Sequence, residues 1–98
     1  MNVGYVYIMA NKSNRVLYCG LTANFERRVA EHINGVGSEF STKYRTRKLV
    51  FFEVHDSIVQ AISREKYIKG KAREKKIALI EAINPKWEDL SVKFLGGK

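Results

Sequence analysis

Two runs of strand-forming residues near the start of the chain, parted by a short polar cluster, restrict the fold more than any other feature. Residues 3–10 are rich in Val, Tyr and Ile, which suit a pleated, half-buried surface. Asn11-Lys12-Ser13-Asn14 interrupts the run, and Arg15-Val16-Leu17-Tyr18-Cys19-Gly20 resumes it. So short a connection suits a hairpin and implies an antiparallel sheet. Pairing Ala10 with Arg15 sets Met9 opposite Val16, Tyr7 opposite Tyr18, and Tyr5 opposite Gly20. In that register Tyr7 and Tyr18 are direct cross-strand neighbours on one face, and Cys19 turns to the other.

The rest of the chain reads as helices laid on that sheet. Thr22 or Asn24 caps a helix to about Ile33, with Phe25, Val29 and Ile33 as its apolar stripe. Residues 34–47 carry Gly, Ser and Thr clusters and read as a loop. Leu49–Val54 reads as a third strand. Ser57 and Gln60 have the spacing of a capping box, opening a helix that Gly70 weakens or ends. Glu74–Ile83 reads as a last helix, with Ile77, Ile80 and Ile83 on one side and Pro85 as its stop. Trp87 and Leu90 are expected to fold back and close the core. The expected order is β-β-α-β-α-α, a three-stranded antiparallel sheet flanked by helices, hence an α+β fold in one domain over residues 1–98.

Glu65 stands out in this frame. It falls between Ile62 and Ile68 on the apolar stripe formed with Ile58 and Ala61. A carboxylate facing the core is costly unless a cation meets it, so arginine, lysine or a metal ion is the expected partner. The net charge of +8 points to a polyanion, most often nucleic acid. No apolar run approaches the roughly 18 residues of a membrane span, and the start does not read as a signal peptide. The single cysteine excludes an internal disulfide and fits a reducing compartment, so a cytoplasmic protein is expected.

Arg28 and His32 share a face of the first helix, each one position before a core residue. They should lie on the rim of the buried stripe. Taken alone, Arg28 suits either catalysis or a buried pair with Glu65, and His32 reads as a surface or rim histidine. Gly20 ends a strand beside two tyrosines, where it lets a backbone or phosphate approach. Asn84 precedes Pro85 and reads as helix termination. Lys43, Arg45, Arg47 and Lys48, with Lys69, Lys71, Arg73, Lys75 and Lys76, form a basic set suited to phosphates. No zinc-site spacing, Walker loop or nucleophile elbow occurs.

Five segments together resemble the GIY-YIG nuclease superfamily, above all its small stand-alone members of the UPF0213 type. They are Tyr5-Val6-Tyr7, Tyr18-Cys19-Gly20, the arginine helix Asn24–His32, Arg64-Glu65-Lys66 and Asn84-Pro85. Val6 and Cys19 stand on the packing face. The resemblance implies a metal-dependent endonuclease acting on DNA, or on RNA, and leaving a 3′-hydroxyl and a 5′-phosphate. It implies that Glu65 is the sole protein ligand of one divalent ion, Mg²⁺ or Mn²⁺, and that Arg28 holds the scissile phosphate. By the same resemblance Tyr7 and Tyr18 flank the attacking water, His32 assists proton transfer or touches phosphate, and Asn84 steadies the site. A non-catalytic binding module of the same fold is the alternative, and a protein partner could supply specificity. The carboxylate of Glu65 favours the nuclease, because a pure binder gains nothing from a group that repels phosphate.

Overall fold

The computed structural model describes residues 3–93. Residues 1–2 and 94–98 of the expected domain lie outside the described residues. The elements are β1 (Gly4–Ala10), β2 (Leu17–Thr22), α1 (Phe25–Ile33), α2 (Glu39–Tyr44), β3 (Lys48–His55), α3 (Ile58–Lys69), α4 (Arg73–Ile83) and a 3₁₀ turn, Leu90–Lys93. The strands form one antiparallel sheet in the order β2-β1-β3. This is the expected α+β fold. One element is new: residues 34–47 contain α2, whose start is capped by the Ser38 hydroxyl accepting from Ser41 N–H.

The hairpin register is offset from the expected one. Tyr7 faces Gly20, Met9 faces Tyr18, and Ala10 faces Leu17. The connection is therefore longer. Asn11 causes this, because its side-chain oxygen accepts from Arg15 N–H and Val16 N–H at 3.0 Å each, drawing those residues into the turn. Asn14 completes the turn with a positive φ of 63°. The offset is two residues, so every side chain keeps its face. Tyr7 and Tyr18 become diagonal neighbours, with ring centroids 6.4 Å apart.

Each face of the sheet carries its own core. Val6, Ile8, Ala10, Cys19, Phe51 and Val50 pack under Ala61 and Ile68 of α3 and Ile80 of α4. Tyr7, Met9 and Leu49 pack under Phe25 and Val29 of α1. A β-bulge lets the successive residues Val50 and Phe51 serve the same core. Ile8 pairs with Phe51 and Met9 with Leu49, leaving Val50 as the extra residue. Trp87 packs against the first core and Leu90 against the second, as expected.

Two stripes are rotated from expectation. The buried line of α3 is Ala61, Glu65 and Ile68, and Ile62 is 38 % exposed. On α4 only Ile80 is fully enclosed, while Ile83 is 55 % exposed. Both helices cover one side of a sheet only three strands wide, so a narrow stripe suffices. The N-cap of α1 is Asn24, accepting from Arg27 N–H, and that of α3 is Ser57, accepting from Gln60 N–H.

Candidate active site at the free edge of the sheet

β2 lies at one edge of the sheet and turns alternate residues to its two faces. Tyr18 joins the α1 side, and Leu17, Cys19 and Leu21 join the α3 side. Groups from both cores therefore meet around this edge.

On the α1 side, Tyr7 is fully buried, with its hydroxyl 2.9 Å from His32 Nε2. His32 Nδ1 lies 2.7 Å from Ser41 Oγ, and that hydroxyl donates to the Thr46 carbonyl at 3.2 Å. The Ser41 hydroxyl also meets the Thr46 hydroxyl. With the Thr46 hydroxyl donating to Ser41, the tautomer in which His32 Nδ1–H donates to Ser41 and bare Nε2 accepts from Tyr7 satisfies every group of this chain. His32 was expected at the rim and is instead completely buried. The reason is α2, which folds over it with Ser41, and Gly37, where a Cβ would strike the imidazole ring. Ser41 and Thr46 were not legible as site residues. The only local signal was the Ser38 cap that starts α2.

Burial dominates the protonation of this chain. It lowers the His32 pKa to about 4, with Arg28 adding a smaller push, and raises the Tyr7 phenol to about 12 despite its hydrogen bond to Arg28. At neutral pH both are uncharged. A histidine with a depressed native pKa stabilises the fold fully above its unfolded value, near 6.5, and that stability is lost as pH falls toward about 4. The expected result is that the stability gap between wild type and His32→Gln narrows by about 3 kcal/mol between pH 7 and 4. Urea melts across that range check it, and a gap independent of pH would refute it.

Arg28 reaches the same place from α1. Its guanidinium hydrogen-bonds Tyr7 and donates to Glu31 Oε1 at 3.0 Å, and the side chain remains 31 % exposed. Burial opposes its charge, but the bonds to Tyr7 and Glu31 outweigh that and hold its pKa above the ordinary value. The alternative pair with Glu65 does not form. Gly20 faces Tyr7, and a Cβ there would lie 2.5 Å from the Tyr7 hydroxyl oxygen and 3.0 Å from the Tyr18 ring. Its open side is thus filled by the tyrosine pair rather than left for a phosphate. Tyr7 is held by His32 and cannot swing clear, so Gly20→Ala is expected to cost about 1–3 kcal/mol in a thermal melt. An unchanged melting temperature would show that Tyr7 yields easily.

On the α3 side, Glu65 is buried on the core stripe as expected, with its side chain 12 % exposed. Its partner is Lys69, one turn on, with Nζ 2.8 Å from Oε2. That bond raises the Lys69 pKa. Glu65 in turn lies close enough to Cys19 to add to the burial that pushes the thiol to about 11, so Cys19 is an inert core residue. Arg64 anchors this turn of α3 to β3, donating to both Glu53 oxygens at 2.9 and 2.8 Å. Among the described residues no group of three or more His, Cys, Asp and Glu is poised for a metal. A lone carboxylate still fits Mg²⁺ or Mn²⁺, which keep waters and take phosphate oxygens. Glu65 fits that case: it is held by α3, it touches solvent, and its Lys69 partner is 54 % exposed and free to move.

A cleft of about 270 Å³ joins the two halves. Tyr18 and Phe40 line one wall, and Lys69 and Lys76 line the other. Lys69 and Arg28 both lie within electrostatic range of the Tyr18 phenol. Asn84 is not among these groups. It is buried at the end of α4, where its amide donates to the carbonyl of bulged Val50 at 3.1 Å and to Glu88 at 2.9 Å. The basic set divides. Arg45, Arg47 and Lys48 line a second cleft with Lys12, whereas Lys71 and Lys75 lie between α3 and α4. Arg73 donates to the Asn14 carbonyl, and Lys43 lies over the Tyr44 ring.

The model of the GIY-YIG catalytic domain matches residues 3–78. The chain belongs to the GIY-YIG family. It is 39 % identical to a UPF0213 protein of Clostridium perfringens over 89 % of this chain and 92 % of that one. It is 44 % identical to a UPF0213 protein of Haloquadratum walsbyi over 79 % and 85 %. The solution structure of a UPF0213 protein from Bacillus halodurans matches with a TM-score of 0.56 and 27 % identity, over 92 % of this chain and 95 % of that one. GIY-YIG domains are nuclease domains and generally depend on divalent metal, so nucleic acid is the substrate class of this GIY-YIG chain. No described helix is long and apolar enough to cross a membrane.

Proposed function

We propose that this GIY-YIG domain is a metal-dependent endonuclease that hydrolyses phosphodiester bonds, in DNA before RNA, in the cytoplasm. The observation that carries the reading is the cleft over the β2 edge, with Tyr18 on one wall and the lysine that holds Glu65 on the other. Glu65 would hold one Mg²⁺ or Mn²⁺. When bound, such an ion offsets charge on the phosphate oxygens and acidifies water.

The chain's own residues divide the remaining work. Arg28 is the cation that meets the scissile phosphate and stabilises charge growing on it. Tyr18 faces the cleft within reach of the charges of Lys69 and Arg28, and as the phenolate it would take a proton from the attacking water. Tyr7 is spent on His32 as a donor, so it offers only oxygen lone pairs and positions that water. His32 positions Tyr7. The water oxygen bonds to phosphorus, the P–O3′ bond breaks, and the departing 3′ oxygen takes a proton, giving a 3′-hydroxyl and a 5′-phosphate. Asn84 acts at a distance, by seating the C-terminal segment on β3. Gly20 lets the two tyrosines close on β2. Lys43, Arg45, Arg47, Lys48, Lys69 and Lys76 serve as phosphate contacts, with Lys71, Arg73 and Lys75 on more distant surface. A protein partner supplying substrate choice is compatible with this basic surface.

The test is cleavage of labelled single-stranded, duplex, flapped and branched DNA and an RNA control. Each runs with Mg²⁺, Mn²⁺ or EDTA, beside Glu65→Gln. Metal-dependent cutting absent from the variant supports the reading. Salt-sensitive binding without cutting by either protein moves it to a binding module.

A further inference from the structure

The helix α2 is amphipathic in the wrong sense. Its buried residue is Ser41, while Phe40 and Tyr44, one turn apart, are 43 % and 41 % exposed. Packing alone would bury the rings and expose the serine. The two rings continue a ladder that starts in the candidate active site. Tyr18 and Phe40 centroids are 5.9 Å apart, and Phe40 and Tyr44 centroids are 4.7 Å apart. Each end of the ladder opens into a cationic cleft. Tyr18 and Phe40 share the cleft of about 270 Å³ with Lys69 and Lys76. Tyr44 borders the second, of about 530 Å³, with Lys12, Arg45, Arg47 and Lys48.

We propose that Phe40 and Tyr44, continuing outward from Tyr18, form a stacking track for the bases of an unpaired nucleic-acid strand, whose phosphates run between the two cationic clefts. This rests on the endonuclease reading and names its substrate class. Opening a slot between two rings takes about two base rises of 3.4 Å, more than either centroid spacing. Bases therefore lie on the outward ring faces, which the exposure of Phe40 and Tyr44 provides. A duplex keeps its base faces stacked on each other and offers α2 only phosphates. An unpaired strand offers both phosphates and π-faces, which is what alternating aromatic and cationic groups bind. Nothing in the track reads base edges, so sequence preference is expected to be weak.

The experiment is equilibrium binding in EDTA, where cutting is suppressed, by anisotropy of labelled mixed-sequence single-stranded DNA, single-stranded RNA and blunt duplex DNA. The double variant Phe40→Leu/Tyr44→Leu keeps apolar bulk and removes the π-faces. It is expected to bind single strands on the order of 100-fold more weakly and duplex within about two-fold of wild type. Phe40→Trp is expected to keep the affinity, and its emission, beyond that of Trp87, to be quenched by single strands. The arm that shows the loss names the sugar. Equal losses on single strand and duplex, no loss, or an indole that ignores bound strand would each overturn the track. Failure of the nuclease reading looks different: no variant or wild type cuts with metal, while the difference in binding persists.

Discussion

Glu65→Gln is expected to leave a folded protein that binds nucleic acid and does not cut it. The fold tolerates the change because the partner of Glu65 is Lys69, a half-exposed lysine on the same helix. Such a pair contributes at most about 1 kcal/mol. Had Glu65 been sealed against Arg28, losing one partner would cost about 3–5 kcal/mol. The amide keeps the size of the side chain and removes the charge that a divalent ion needs. Losing several kcal/mol of transition-state stabilisation slows cutting on the order of 10³-fold or more. Two readouts check this: rates with Mg²⁺ or Mn²⁺, and thermal melts in EDTA. Undiminished cutting, or a loss of stability near 4 kcal/mol, would show that Glu65 is structural.

The second large effect is expected at the two tyrosines, which should part company. The Tyr18 hydroxyl has no hydrogen-bond partner among the described residues and faces the cleft. Tyr18→Phe is therefore expected to melt like wild type and to cut about 10²–10⁴-fold more slowly, the scale of a lost proton-transfer group. Tyr7 is buried, and its hydroxyl satisfies His32 Nε2. Tyr7→Phe strands that nitrogen, so a loss of about 1–3 kcal/mol in stability should accompany its loss of activity. Paired melts and single-turnover rates for the two variants settle the division. Equal stability for both, or a faster Tyr18→Phe than Tyr7→Phe, would reverse the roles given to them.

Much of this site was legible because it rests on local pattern. Period-two alternation put Tyr7 and Tyr18 on one face and Cys19 on the other, and the two-residue offset in register left that intact. Helical spacing placed Arg28 and His32 together and brought Glu65 onto a buried stripe. The offset itself was not legible, because a single side chain, Asn11, decides which residues the turn consumes. Glu65 carried a sign of its need for a cation but not the address. Arg28 and Lys69 were both available, and packing α1 and α3 on opposite faces of the sheet settled the matter for Lys69.

By itself, the order of residues determined the hairpin, the face of each strand side chain, the caps of α1 and α3, and the family to which the chain belongs. These depend on neighbours within a turn or two, where sterics and local hydrogen bonds act. Only the tertiary structure decided that His32 is sealed and neutral, that Ser41 and Tyr7 hold its two ring nitrogens, and that Tyr18 faces Lys69 across one edge. Those facts need α2 to close over α1, and α1 and α3 to approach β2 from opposite sides. Desolvation and long-range contact arise there, between segments that no local spacing connects.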